Sequence, residues 1–238
     1  PTQHGLRSEG LLEPLDPHDR LARAIGPRWI RFGRGCVCSG VHGTILAMAD
    51  DQSTPSERLI HSGRKFSFAV VTSLSRSGRP IEREVVRHPG AVVVVPVCSD
   101  GSVVMVRQPR VALGRSTTEL PAGTLGAGED PSACAARELR EETGYAAATL
   151  RPIGRFYTSP GLSDELMHAF CATDMSMVGQ DQEDDEDIEV IKMKPADLKR
   201  GLTRGELLDG KSIAAITLAI GAGCLPVDLL TAHSPGDG

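Results

Sequence analysis

The run GTLGAGEDPSACAARELREETGY, residues 123–145, decides how this chain is read. Asp130 is a good helix N-cap, Pro131 comes with its φ already set for a first helical turn, and Gly144 suits the residue just past a helix end. A helix is therefore predicted between them. On it Glu138, Glu141 and Glu142 lie three and four positions apart and share one face. Like charges at that spacing repel, by up to ~0.5 kcal/mol per pair on an isolated helix. Two readings follow: a solvated acidic face balanced by Arg137 and Arg140, or a set of carboxylates relieved by a bound cation. The helix alone favours the first, and its surroundings favour the second. An all-oxygen donor set suits Mg²⁺, or Mn²⁺, and argues against zinc, which takes His and Cys.

Upstream, residues 65–73 and 81–86 alternate as strands do, around a turn at Ser77-Gly78-Arg79-Pro80. Residues 91–97 and 102–107 predict a second hairpin about Ser99-Asp100-Gly101. The first of these runs is continuously apolar, which marks a central strand covered on both faces. Downstream, 151–157, 166–172 and 188–193 predict strands, and 195–200 and 211–220 predict helices. Strands mixed with a few helices make an α/β (α+β) layered fold. Residues 1–55 are rich in Gly, Pro and Arg and predict an irregular extension with a weak helical pattern at 17–25. Met48 offers an alternative start.

The whole chain has 238 residues, a formal charge of −5, 24% charged and 40% hydrophobic residues. That is ordinary for a globular protein with a full core. Seven acids lie between Asp181 and Glu189; the remainder carries 26 basic and 24 acidic residues, a net of +2. One acidic knot on a near-neutral chain argues against a nucleic-acid surface. The six cysteines show no repeating pair spacing, so neither a disulfide framework nor a zinc cluster is expected. No uncharged run reaches the ~18 residues that span a bilayer, and no signal peptide is visible, so a cytoplasmic protein is expected. Aromatics make up 3% of the chain, eight residues in all, which leaves few rings for any stacking site.

The fixed residues Gly123, Glu129, Arg137-Glu138, Glu141-Glu142 and Gly144 together resemble the Nudix box, the loop–helix–loop signature of hydrolases that cleave a nucleoside diphosphate linked to another group. Tyr145 stands where the family usually has an aliphatic residue. The likeness covers roughly residues 57–221 and is similar to the ADP-ribose pyrophosphatase branch. Pro160 lies sixteen residues after Gly144 within SPGLSDE, Glu119-Leu120-Pro121-Ala122-Gly123 matches closely, and Gln108-Pro109-Arg110 has Pro109 in place of the usual aromatic.

The resemblance implies a Nudix fold with a mixed sheet sandwiched between helices and a small N-terminal antiparallel strand subdomain. The domains expected are an extension at 1–55, the strand subdomain at 56–86, the hydrolase domain at 87–225 and a tail at 226–238. It implies a divalent metal on the carbonyl of Ala122 and on Glu138, Glu141, Glu142 and Glu186, with Arg137 orienting Glu129. Phe66 and Lys65 would hold adenine, Arg83 and Arg110 phosphate or ribose oxygens, and Ser159 and Glu165 the terminal ribose. Asp184 would activate the attacking water, with Glu183 the close alternative. The activity implied is Mg²⁺-dependent hydrolysis of ADP-ribose to AMP and ribose 5-phosphate by a homodimer that exchanges N-terminal strands. The alternatives are another nucleotide sugar such as GDP-mannose, or an ADP-ribose sensor without catalysis.

Overall fold

The computed structural model describes residues 55–180 and 187–231. The expectations for 1–54, the loop acids Glu183, Asp184 and Glu186, and the end of the tail from 232 lie outside those residues. The strands are β1 Ser56–Ser62, β2 Ser67–Leu74, β3 Pro80–Arg87, β4 Ala91–Pro96, β5 Val103–Arg110, β6 Arg115–Glu119, β7 Ala122–Thr124, β8 Tyr145–Tyr157, β9 Leu166–Met177 and β10 Glu189–Met193. The helices are α1 Pro131–Thr143, α2 Pro195–Thr203 and α3 Gly210–Gly221.

The signals read around residues 123–145 form as expected. Asp130 Oδ1 accepts hydrogen bonds from the N–H groups of Ser132 and Ala133 at 2.9 and 3.1 Å. Gly144, at φ 75°, closes α1 by donating to the Arg140 carbonyl. A left-handed residue there costs glycine nothing.

Strand β4 is buried along its whole length and sits inside a four-stranded mixed sheet of order β7-β4-β9-β8, parallel to β9 and antiparallel to β7. Its side chains alternate between two cores. Val92 and Val94 pack with Cys134, Ala135 and Leu139 of α1, whereas Ala91, Val93 and Val95 pack with Ala215, Ile216 and Ala219 of α3. The sheet therefore lies between two helices, as expected. Each fully buried valine contributes about 1.5–3 kcal/mol, so an apolar strand covered on both faces anchors the whole body.

Several expectations are corrected. The turn at Ser99–Gly101 forms, but β4 and β5 are not a hairpin. They touch through one bridge, Val97 to Val103, and β5 instead joins a separate antiparallel sheet of order β10-β5-β6. The chain reverses there while its strands diverge, because each already has two other partners. The strand expected at 151–157 begins at Tyr145, directly after α1, and pairs with β9 back to Met177. Pro152 interrupts it at a register shift on the sheet edge, where a missing N–H is tolerated. Beyond residue 225, Leu229 is buried in the core. Strands β1, β2 and β3 form their own antiparallel sheet. Among the described residues no helix is long and apolar enough to cross a membrane.

Candidate active site

A cleft of about 1010 Å³ gathers residues from β4, β5, β7 and β9, from α1, from the segment before β2, and from the start of α3. β7 runs beside β4, with Ala122 opposite Val93, and so delivers the Ala122–Gly123 backbone to the acidic face of α1. The Ala122 N–H donates to Glu142 Oε2 at 3.1 Å. A Cβ built on Gly123 would overlap the Glu138 carboxylate, so glycine at this position is what lets the acid lie against the strand. Glu138 and Glu142 are buried, at 8% and 3% exposure, yet both line the cleft together with Glu141. Buried acids on one helix face need a compensating charge.

Arg137 provides positive charge here. It forks onto Glu129, Nε to Oε1 at 3.0 Å and Nη2 to Oε2 at 3.2 Å, and pairs through Nη1 with Glu138 and Glu141, each at 2.8 Å. The Arg137 hydrogen bond and the Gly126 N–H hold Glu129 down to about 2. Burial pushes the neighbouring Cys134 thiol up to about 12, so it stays protonated at neutral pH. Among the described residues, no three of these side chains converge on one point as a closed cage. Their chemistry nonetheless fits a hard divalent cation: three carboxylates and a backbone carbonyl, all oxygen, on either side of a glycine whose Cβ would collide with one of them.

Of the residues expected to bind substrate, Lys65, Phe66, Arg110 and Glu165 line this cleft. Phe66 precedes β2 and is 53% exposed, which leaves its ring open to solvent. Arg110 is gripped by Glu119, Nε to Oε1 at 2.8 Å and Nη2 to Oε2 at 2.6 Å. Arg83 is placed elsewhere: on β3, donating to Ser73 Oγ at 2.9 Å, and outside the cleft lining. Ser159 is likewise outside it; its carbonyl caps the turn through the N–H groups of Leu162 and Ser163.

Two features escaped the sequence reading. His88 accepts the Gly90 N–H on Nδ1 at 3.1 Å, which leaves its Nε2 facing Glu165 Oε1 at 3.7 Å, and Asp164 Oδ1 takes the His88 N–H at 2.8 Å. These contacts tie the Pro160 loop to the start of β4. Lys211 on α3 also lines the cleft, bonded to Glu119 and to Asp209. Burial would raise the Glu119 carboxyl, but Arg110, Lys211 and the Thr117 hydroxyl outweigh that and hold it down to about 2. Only the folded chain brings Glu119 and Lys211 together.

The NUDIX domain model matches residues 87–215. An ADP-ribose pyrophosphatase from Bacillus subtilis (strain 168) is 40% identical over 168 residues, 70% of this chain and 91% of that protein. A methanol dehydrogenase activator from Bacillus methanolicus is 35% identical over 170 residues, 70% and 91% of the two chains. An ADP-ribose pyrophosphatase from Mycobacterium tuberculosis (strain ATCC 25618 / H37Rv) is 37% identical over 169 residues, 70% of this chain and 82% of that one. Among solved structures, an ADP compounds hydrolase superposes with a TM-score of 0.62 at 20% identity, covering 72% of this chain and 96% of its own; that likeness speaks to fold.

Proposed function

The chain belongs to the Nudix family, and from that premise we propose that it hydrolyses the diphosphate bond of ADP-ribose to AMP and ribose 5-phosphate. The observation that carries this is the cleft itself, where the buried acids Glu138 and Glu142 of α1 and the glycine-bounded Ala122 backbone share one space with Arg110, Lys65 and the open ring of Phe66. A diphosphate is doubly anionic, so a site that takes one needs cations beside the acids. The two relatives named as ADP-ribose pyrophosphatases support the choice of substrate.

In this reading Glu138, Glu142, Glu141 and the Ala122 carbonyl, joined by Glu186, would hold Mg²⁺ or Mn²⁺, which neutralises diphosphate charge and makes a bound water more acidic. Arg137 keeps Glu129 and Glu141 in place. Arg110 donates to phosphate oxygens, Phe66 stacks on the adenine, and Glu165, fixed by Thr158 and facing His88, meets the terminal ribose. Asp184, or Glu183, takes the proton of the attacking water as its oxygen bonds to phosphorus and the bridging P–O bond breaks. The sheet β1-β2-β3 leaves Leu59 and Ile60 at 59% and 45% exposure, an apolar edge that suits pairing with a second copy.

Chromatography of the products formed from ADP-ribose and Mg²⁺ tests the reaction. AMP and ribose 5-phosphate in equal amounts are expected. Binding of ADP-ribose without turnover in Mg²⁺ or Mn²⁺ would make the chain a sensor instead.

A further inference from the structure

We propose that Lys211 is a second diphosphate-binding cation beside Arg110, and that Glu119 positions both; this rests on reading the cleft as a diphosphate site. The Glu119 carboxylate is nearly sealed from solvent, at 3% side-chain exposure, and is shared by the Arg110 fork, the Thr117 hydroxyl and the Lys211 ammonium. Asp209, the N-cap of α3, accepts from the same ammonium at 2.9 Å and from the Ser212 N–H at 3.1 Å.

The cluster has two cations and two carboxylates, yet it is not neutral toward the cleft. Arg110 and Lys211 both line that space, and neither Glu119 nor Asp209 does. The positive ends point to where an anion would lie and the negative ends are packed behind them. An ammonium has three N–H donors and a guanidinium five. Glu119 and Asp209 use two of the Lys211 donors, and Glu119 uses two of those on Arg110, so both cations keep donors for phosphate oxygens. Holding a lysine this way removes the rotamer freedom it would otherwise lose on binding. The same anchoring explains the position: Lys211 sits in the first turn of α3, and its reach to Glu119 fixes that turn against the end of β6.

A role confined to joining α3 to β6 would make no distinction between ligands with and without phosphates. The test is calorimetric titration of the full chain, in Mg²⁺, with ADP and with adenosine as probes. Lys211→Gln keeps a neutral donor for Glu119 and removes the charge. It is expected to weaken ADP by a factor of roughly 10 to 100, the size of one charge-assisted hydrogen bond, and to leave adenosine unchanged. Lys211→Arg, which keeps both charge and fold, is expected to bind ADP more tightly than the Gln variant does. Unaltered ADP affinity in Lys211→Gln overturns the proposal, as do equal losses for the two probes or an Arg variant no better than Gln. No turnover enters the measurement. A wild-type chain that fails to cleave ADP-ribose refutes the reaction and not the clamp, whereas unchanged ADP binding in Lys211→Gln refutes the clamp and not the reaction.

Discussion

The carboxylate of Glu138 lies so close to the α-carbon of Gly123 that no side chain fits between them. The contact joins the short strand β7 to the acidic face of α1, and it carries a direct consequence. In Gly123→Ala the methyl group displaces the end of a flexible side chain, not backbone, so the fold yields at little cost. The melting temperature should stay within about 4 °C of wild type, the shift that ~1 kcal/mol gives a chain of this size. Moving a catalytic group by an ångström can cost ~100-fold, and kcat/KM should fall by about that factor. Normal activity in the alanine variant would show that Glu138 need not stand where it does.

Glu142 is buried, takes the Ala122 N–H and lines the cleft. Glu142→Gln preserves an oxygen for that N–H and removes the charge. Its kcat should fall by more than the roughly 10- to 100-fold that losing an outer partner of a metal site costs, while circular dichroism stays that of the wild type. Near-normal turnover across a Mg²⁺ titration would remove Glu142 from the metal site.

Glu119 gives a pH signature. Its folded carboxyl is held at about 2 against an ordinary 4.5, so the charged form is favoured by folding. The stability this supplies is complete above pH 4.5 and is lost as pH falls toward 2. Urea unfolding of wild type and Glu119→Gln should therefore give a difference in midpoint that is constant from pH 7 to about 5 and then shrinks in acid. A difference that is independent of pH down to 3 would contradict the pairing with Arg110 and Lys211.

The acidic knot answers to single substitutions. Among Asp184→Asn, Glu183→Gln and Glu186→Gln, the one that removes the base should lower kcat by ~100- to 10,000-fold, the range of general base catalysis. Three fully active variants would make this loop a solvated face.

How far the sequence reached depends on whether the signal is local. Asp130, Pro131 and Gly144 mark the ends of α1 by their own backbone chemistry, and the run of valines in β4 needs only its apolarity to announce a doubly covered strand. The spacing of Glu138, Glu141 and Glu142 fixes their shared face for the same reason. Strand pairing is not local: Gly101 announces a reversal of the chain, and nothing near it says that β4 goes to β9 while β5 goes to β10. β6, with the polar sequence RSTTE, and the three-residue β7 have too little pattern to be seen alone. Lys211 reads as an ordinary residue at a helix start until folding sets it against Glu119, and nothing local to Arg83 says that it donates to Ser73 across the β2–β3 pair.

ADP-ribose is the substrate proposed for this chain. The most direct measurement is kcat/KM in Mg²⁺ for ADP-ribose, GDP-mannose, NADH and diadenosine polyphosphates, taken side by side on the purified chain. ADP-ribose is predicted to rank first. If it ranks last, the substrate assignment is contradicted.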